Sequence, residues 1–289
     1  MSIGFIGAGK VGTALGMYLK SNGFLISGYF SRSEKSRQQS ALLTQSNCFN
    51  TMKQLVEASE LIFITTNDDE IERVVQQLCQ DSCLKPNQLV IHTSGALPST
   101  ILSPLKAFGC NVYSMHPLLS FADKEKAAEA LKSSYFCIEG DEEKMTELEH
   151  LLQVLGNKYF KLKPEQKTLY HASACMVSNY LVTLIHSGLK LMENIDIDRE
   201  TAFRAMLPLI NSTIQNILTF GTENALTGPI SRGDGATLSR QLDAISRTSP
   251  EQLYLFTHLA AETIELASTA KLKDNEEIEK LRAIIKYYI

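Results

Sequence analysis

Residues 3–12 read Ile3-Gly4-Phe5-Ile6-Gly7-Ala8-Gly9-Lys10-Val11-Gly12, and the reading of the whole chain turns on them. The apolar run Ile3 to Ile6 supplies a buried strand. Gly7 permits a tight turn, Gly9 lets backbone come close to a bound group, and Gly12 lets the next helix pack against the strand. A helix opening at this turn leaves its first N–H groups without intrahelical partners, so they point at whatever anion the glycines admit. Three glycines at this spacing, between a strand and a helix, mark a dinucleotide pyrophosphate site formed by Gly7, Ala8, Gly9, Lys10, Val11 and Gly12.

Twenty positions beyond Gly12, a binder of the plain nucleotide places an acid against the ribose 2′-hydroxyl. Here the strand Leu25 to Phe30 runs instead into Ser31-Arg32-Ser33. A guanidinium flanked by two hydroxyls suits a 2′-phosphate, so the expected cofactor is NADP in preference to NAD. A later strand delivers Thr65-Thr66-Asn67-Asp68, which places Thr66 and Asn67 beside the cofactor's ribose and nicotinamide. Asp68 and Asp69 are expected to cap a helix that begins near Glu70.

Candidate strands at 3–6, 25–30, 61–65, 89–92, 112–115, 136–139 and 158–162 alternate with candidate helices at 11–21, 52–58, 71–79, 100–106, 127–131 and 142–155. This alternation predicts an α/β Rossmann domain, a doubly wound and mostly parallel sheet. Past Pro164 the strand-like runs stop. Patterns of period 3.6 fill 165–193, 199–219, 237–244 and 250–270, and a charged helix follows Lys271, so the second domain is expected to be all helical. Proline ends a strand and suits a helix's first turn, which puts the boundary at 164: residues 1–163 for the nucleotide, 164–289 for substrate and dimerisation.

At 289 residues the chain suits two cores rather than one. The 28 basic against 32 acidic residues give a net charge of -4 with no basic run, so nucleic acid is not an expected partner. No segment approaches a membrane span, and the expected location is the cytoplasm. The six cysteines lack the pairing and His neighbours of a zinc site and read as reduced thiols, with no metal expected.

The stretches His92-Thr93-Ser94-Gly95, His116-Pro117-Leu118-Leu119-Ser120-Phe121, Tyr170-His171-Ala172 and Gly228-Pro229-Ile230-Ser231-Arg232-Gly233-Asp234 join the glycine turn in a broader resemblance. Together they resemble Rossmann-like proteins with a DUF2520 C-terminal domain. Beyond these, the chain resembles the superfamily of pyrroline-5-carboxylate reductase, prephenate dehydrogenase, ketopantoate reductase and 6-phosphogluconate dehydrogenase. The resemblance implies an NAD(P)-dependent oxidoreductase with its site between two domains. It matches Ser94 and His116 to prephenate dehydrogenase positions that bond the substrate hydroxyl, which suggests His116 as general acid or base. Placement agrees, since both residues end strands on the cofactor side and an imidazole titrating near neutrality suits proton transfer. Bracing a turn is the other role open to a histidine before proline.

At 100° per residue, Lys167, His171, Ala174 and Ser178 fall in one arc of a helix, with Cys175 and Asn179 beside them. Hydroxyacid dehydrogenases of the superfamily set a Lys and, four residues on, an Asn at such a stripe; here the Lys is followed by His171. An interdomain ladder of hydrogen bonds or a dimer face would use the same stripe. The glycine-rich stretch 227–237 resembles a loop of pyrroline-5-carboxylate reductases. Arg232 and Ser231 there suit a substrate carboxylate, while Asp234 either pairs with Arg232 or caps the following helix.

These readings converge on hydride transfer between NADP and a small, carboxylated metabolite. His116, with His171 or Lys167, moves the proton, and Ser94, Asn179 and Arg232 orient the substrate. A nicotinamide-binding sensor without catalysis and a deazaflavin (F420)-dependent NADP reductase stand as alternatives. The long apolar helices hold more apolar surface than one small domain hides, so a homodimer is expected.

Overall fold

The computed structural model describes residues 1–288. Eight strands make one sheet: β1 (Ser2–Ile6), β2 (Leu25–Phe30), β3 (Asn47–Cys48), β4 (Leu61–Ile64), β5 (Leu89–His92), β6 (Asn111–Pro117), β7 (Phe136–Gly140) and β8 (Tyr159–Lys161), in the order β3-β2-β1-β4-β5-β6-β7-β8. The first six run parallel, β7 pairs antiparallel with β6, and β8 lies parallel to β7. Strand order reverses between β1 and β4, and at such a point the loops leaving the two strands part and open a crevice at the carboxyl edge.

Both faces of the central strands are buried, which is why they read as unbroken apolar runs rather than alternating ones. On one face Phe5 stacks between Tyr29 and Phe63, at ring separations of 5.0 and 5.3 Å, under helix α1 (Lys10–Ser21). The other face packs Ile6, Ile62, Ile64 and Val90 against Ile71, Val75 and Leu78. Helices α2 (Glu34–Thr44), α3 (Met52–Glu57), α4 (Asp68–Asp81), α5 (Lys124–Ala130) and α6 (Met145–Val154) link the strands.

The sheet and its helices form one compact unit, Met1–Asn179, which extends past Pro164 to include helix α7 (Lys167–Val177). A second unit, Tyr180–Ile289, holds most of α8 (Asn179–Glu193) and then α9 (Arg199–Ala225), α10 (Gly235–Thr248), α11 (Pro250–Ala270) and α12 (Asn275–Tyr288). Its core joins Leu238 and Leu242 of α10, Ala260, Ile264 and Ala267 of α11, and Ile278, Leu281 and Ile285 of α12. In contrast α8 buries only Leu189, and α9 only Ala202. No helix among the described residues is long and apolar enough to cross a membrane.

Several local readings need correction. The periodic stretch 165–193 is two helices, broken at Ser178 (φ -115, ψ -70), whose backbone leaves the helical geometry at a Ser-Asn pair of low helix propensity. The stretch 100–106 is a 3₁₀ segment, Ser99–Phe108, because Pro104 removes an α-helical donor. Helix α4 begins at Asp68 with Asn67 at its N-cap and no side-chain cap, so neither Asp68 nor Asp69 caps it.

Candidate cofactor cleft and histidine cluster

The turn after β1 is built as its glycines require. Gly7 stands at φ +112, and a Cβ there would lie 2.7 Å from the Thr65 carbonyl carbon. A Cβ on Gly12 would lie 2.3 Å from Thr65 Oγ1, the hydroxyl that donates to the Gly7 carbonyl at 2.9 Å. Gly9 differs: nothing lies within 4 Å of a Cβ built on it. Gly9 is also the N-cap of α1, whose first turn holds no acidic residue, so the amides of Lys10, Val11 and Gly12 have no intrahelical acceptor.

A cleft of about 800 Å³ opens at this turn. Gly7, Ala8, Gly9, Ser31, Arg32, Thr66 and Asn67, all singled out in the sequence, line it. Thr66 Oγ1 is buried there without a hydrogen-bond partner. Arg32 is exposed and paired with Glu70 at 3.1 Å; Ser33 caps α2 through the Ser36 amide. The sequence reading missed Glu70, Arg73 and the segment Asn50–Lys53, which face the same cleft. It also missed Arg37, whose guanidinium donates to the Ser31 carbonyl at 3.3 Å and to Asn50 Oδ1 at 3.0 Å, tying two walls together. An Arg inside a helix four residues past the turn carries no motif that would have singled it out.

At the same edge of the sheet, the ends of β5 and β6 and the face of α7 bring His116, Tyr170, His171, Ser94 and Lys167 together. His116 Nδ1 lies 2.7 Å from the Tyr170 hydroxyl, and its ring meets those of Tyr170 and His171 edge-on at 5.7 and 5.9 Å. The absent side chain of Gly95 makes room for both imidazoles. A Cβ on Gly95 would lie 2.5 Å from His171 Nδ1 and 2.8 Å from His116 Nε2. His171 Nδ1 is buried without a partner, while its Nε2 lies 3.6 Å from Cys175 Sγ.

The Ser94 hydroxyl donates to Asp68 Oδ2 at 2.8 Å and accepts from the amides of Ala96 and Leu97. Lys167 is fully buried; its ammonium donates to the Ser94 carbonyl at 2.9 Å and to Ser114 Oγ at 2.7 Å. Because α7 stops at Val177, Ser178 and Asn179 leave the stripe and are exposed.

Electrostatics depart from the sequence expectation of an imidazole titrating near neutrality. Burial, reinforced by Lys167, His171 and His92, pushes His116 down to about 3. Burial and then Lys167 push His92 down to about 3 as well. Burial raises the Tyr170 hydroxyl above the usual phenol range, lowers Lys167, and raises Glu139, which Ser99 holds through its amide and hydroxyl. The site therefore holds a neutral His116 imidazole beside a protonated Tyr170 phenol.

The stretch around Arg232 lies in the second unit. Ser231 is buried and its hydroxyl donates to the Gly228 carbonyl at 2.9 Å. Asp234 caps α10 through the Thr237 amide at 2.9 Å, and Thr237, through its hydroxyl first and then its amide, lowers the Asp234 pKa more than Arg232 does. Arg232 is exposed.

A glycine turn leading into a helix at the switch point of a parallel sheet, followed by helices alone, defines a Rossmann-type α/β protein with a helical C-terminal part. Residues 1–117 match a Rossmann-like domain, and residues 134–263 match DUF2520, a domain of unknown function. The chain thus carries both domains, the second beginning inside the first compact unit. A comparison with proteins of curated function returns no match.

Among solved structures, the chain is similar to a Bacteroides fragilis protein provisionally named an NADP oxidoreductase, with TM-score 0.76 and 22% identity over 91% of this chain and 98% of that one. It is similar to a Thermotoga maritima protein, with TM-score 0.67 and 23% identity over 99% and 98%. The imine reductase of Myxococcus stipitatus in complex with NADP+ has TM-score 0.68 and 14% identity over 99% and 100%. At these identities the likeness is one of fold.

Proposed function

We propose that this chain is an NADP-dependent oxidoreductase acting on a small, carboxylated metabolite. The single observation that carries the reading is the open space over Gly9 at a helix N-terminus with unpaired amides, in the cleft that Arg32 lines. A pyrophosphate needs such space and such donors. The unpartnered Thr66 hydroxyl in the same wall further supports a polar ligand there, and the fold is shared with the NADP+-bound imine reductase. Gly7 to Gly12 would hold the pyrophosphate, Ser31, Arg32 and Ser33 the 2′-phosphate, and Thr66 and Asn67 the ribose and nicotinamide side.

A bound reduced nicotinamide supplies a hydride, and the balancing proton has to come from the protein or solvent. His116 is the group we assign to that proton. With Nδ1 accepting from the Tyr170 hydroxyl, a neutral imidazole carries its own proton on Nε2, on the side of Gly95. Tyr170 orients the ring through Nδ1, a proton from solvent replaces the one that Nε2 gives up, and His171 packs beside the ring. Arg232 is assigned to the substrate carboxylate on its chemistry and Asn179 to its orientation, while Ser231, whose hydroxyl is given to the Gly228 carbonyl, shapes the loop beside Arg232.

We further propose a homodimer in the cytoplasm. Helix α9 buries only Ala202, while Leu209, Leu218 and Phe220 are exposed on it, as are Tyr180 and Val182 on α8. Such a helix is not stable alone, so its partner has to be permanently at hand, as a second copy is. The six free thiols support a reducing compartment. Light scattering at micromolar concentration tests the dimer, and a monomer would refute it.

The decisive test is calorimetry with NADP+ and NAD+, followed by oxidation of NADPH across a panel of oxo acids, imines and aldehydes. We expect NADP+ to bind more tightly and at least one oxo or imino acid to turn over. Absence of affinity for either nucleotide ends the proposal. Binding with no turnover, and indifference to His116→Ala, would favour a sensor.

A further inference from the structure

We propose that Lys167 is the positioning residue of the His116 site. Its ammonium clamps the Ser94 carbonyl after β5 to the Ser114 hydroxyl on β6, and so fixes the Gly95 turn and the His116 ring. This rests on the reading of His116 as the proton-handling group.

Lys167 is among the largest fully buried side chains of the protein. Two of its three N–H groups are spent, on Ser94 and Ser114, and no carboxylate forms an ion pair with it among the described residues. Burying an ammonium without a paired anion costs stability, and an apolar side chain of similar volume normally serves a core better. The cost finds its return in what the clamp holds. Ser114 lies two residues before His116 on the same face of β6, and the Ser94 carbonyl leads into Gly95, against which His116 and His171 both pack. With no exposed surface, Lys167 acts through these groups and not on a substrate directly.

Its charge has a second effect. The groups facing His116 are Lys167, Tyr170 and His171 from α7, His92 from β5 and Cys137 from β7, its register partner. Of these Lys167 weighs most against a charge on His116, although burial lowers its own pKa. Glu139 is occupied by Ser99 and Asp68 by Ser94. An ammonium there disfavours a second charge on the imidazole and so adds to burial in keeping His116 neutral and its Nε2–H available.

The test compares wild type with Lys167→Met and Ser114→Ala, measuring the melting temperature, the His116 titration by NMR, NADP+ affinity and kcat. The His116 resonance is assigned from its loss in His116→Ala. Lys167→Met is expected to melt at the wild-type temperature or above, to raise the His116 midpoint by at least about one pH unit, and to lower kcat about tenfold or more, with NADP+ affinity unchanged. Ser114→Ala keeps the charge and breaks the clamp, so it is expected to lower kcat while leaving the midpoint in place.

A lower melting temperature with an unmoved His116 midpoint would make Lys167 a structural strut and overturn the proposal. If Lys167→Met does not fold, unchanged kcat in Ser114→Ala overturns it instead. The titration needs no substrate: a protein that binds no nicotinamide nucleotide yet shows the His116 shift would sink the functional reading while retaining the coupling of Lys167 to His116, so the two failures are distinguishable.

Discussion

The His116 imidazole and the Tyr170 hydroxyl share a hydrogen bond of 2.7 Å that spans the end of β6 and the first turn of α7. The bond joins a sheet edge to a helix that follows it by more than fifty residues, and it sets which nitrogen of the ring faces Gly95.

Removing the hydroxyl should therefore loosen His116 without removing it. Tyr170→Phe is expected to lower kcat about fivefold with little change in NADP+ affinity, the scale of one hydrogen bond of about 1 kcal/mol. His116→Ala, which removes the group proposed to carry the proton, is expected to cost on the order of 100-fold or more. Steady-state kinetics on the substrate found in the panel checks both. Full turnover in His116→Ala would take that residue out of the reaction.

The glycine turn offers a cleaner separation of fold from binding. A methyl group on Gly12 meets Thr65 Oγ1 and the Gly7 carbonyl, so Gly12→Ala is expected to destabilise the protein by about 1–3 kcal/mol. A methyl on Gly9 meets nothing within 4 Å, so Gly9→Ala is expected to leave the urea midpoint in place. It should weaken NADP+ binding tenfold or more, because the methyl occupies the space the pyrophosphate needs. Equal melting of both variants would contradict the steric account.

The fold was legible where one residue type at one position has one physical use. Gly7 needs positive φ and Gly12 needs close packing; the unbroken apolar strands need cover on both faces, and each of these could be read directly. The Ser94, His116 and His171 cluster was legible because each sits at a strand end or on one helix face. What escaped depends on distance across the chain. Nothing local announces that Arg37 will reach Asn50, that Glu70 will meet Arg32, or that burial will hold His116 neutral. Likewise α2 is too polar to show a stripe, and β3 is two residues long.

Acid should expose the buried imidazoles. In the folded chain burial holds His92 and His116 at about 3, whereas an unfolded histidine titrates near its usual 6.5. The unfolded state thus binds protons first as pH falls. The associated stability is complete above about 6.5 and is lost on acidification towards 3, by up to ~1.4 kcal/mol per pH unit for each histidine. Urea midpoints between pH 7.5 and 5 measure the slope, and His92→Gln should make it shallower. A flat profile over that range would mean that neither ring is buried neutral.

On the function proposed above, the choice between NADP and NAD would turn on the Arg32–Glu70 pair. The guanidinium that suits a 2′-phosphate is held at 3.1 Å by a carboxylate lining the same cleft. A phosphate has to win Arg32 from Glu70, while a plain ribose hydroxyl need not disturb the pair. Arg32→Ala is expected to weaken NADPH binding by about 2 kcal/mol, roughly thirtyfold, since it removes a charge-assisted bond. NADH binding should change by no more than about threefold, the size of a weak exposed ion pair. Glu70→Gln frees the arginine and removes a negative charge facing the phosphate, so it should tighten NADPH and leave NADH unaffected. Calorimetry at one fixed ionic strength makes the comparison, because screening weakens the phosphate contact selectively. If Arg32→Ala weakens both nucleotides equally, Arg32 holds the pyrophosphate or the adenine, and the preference for NADP loses its physical basis.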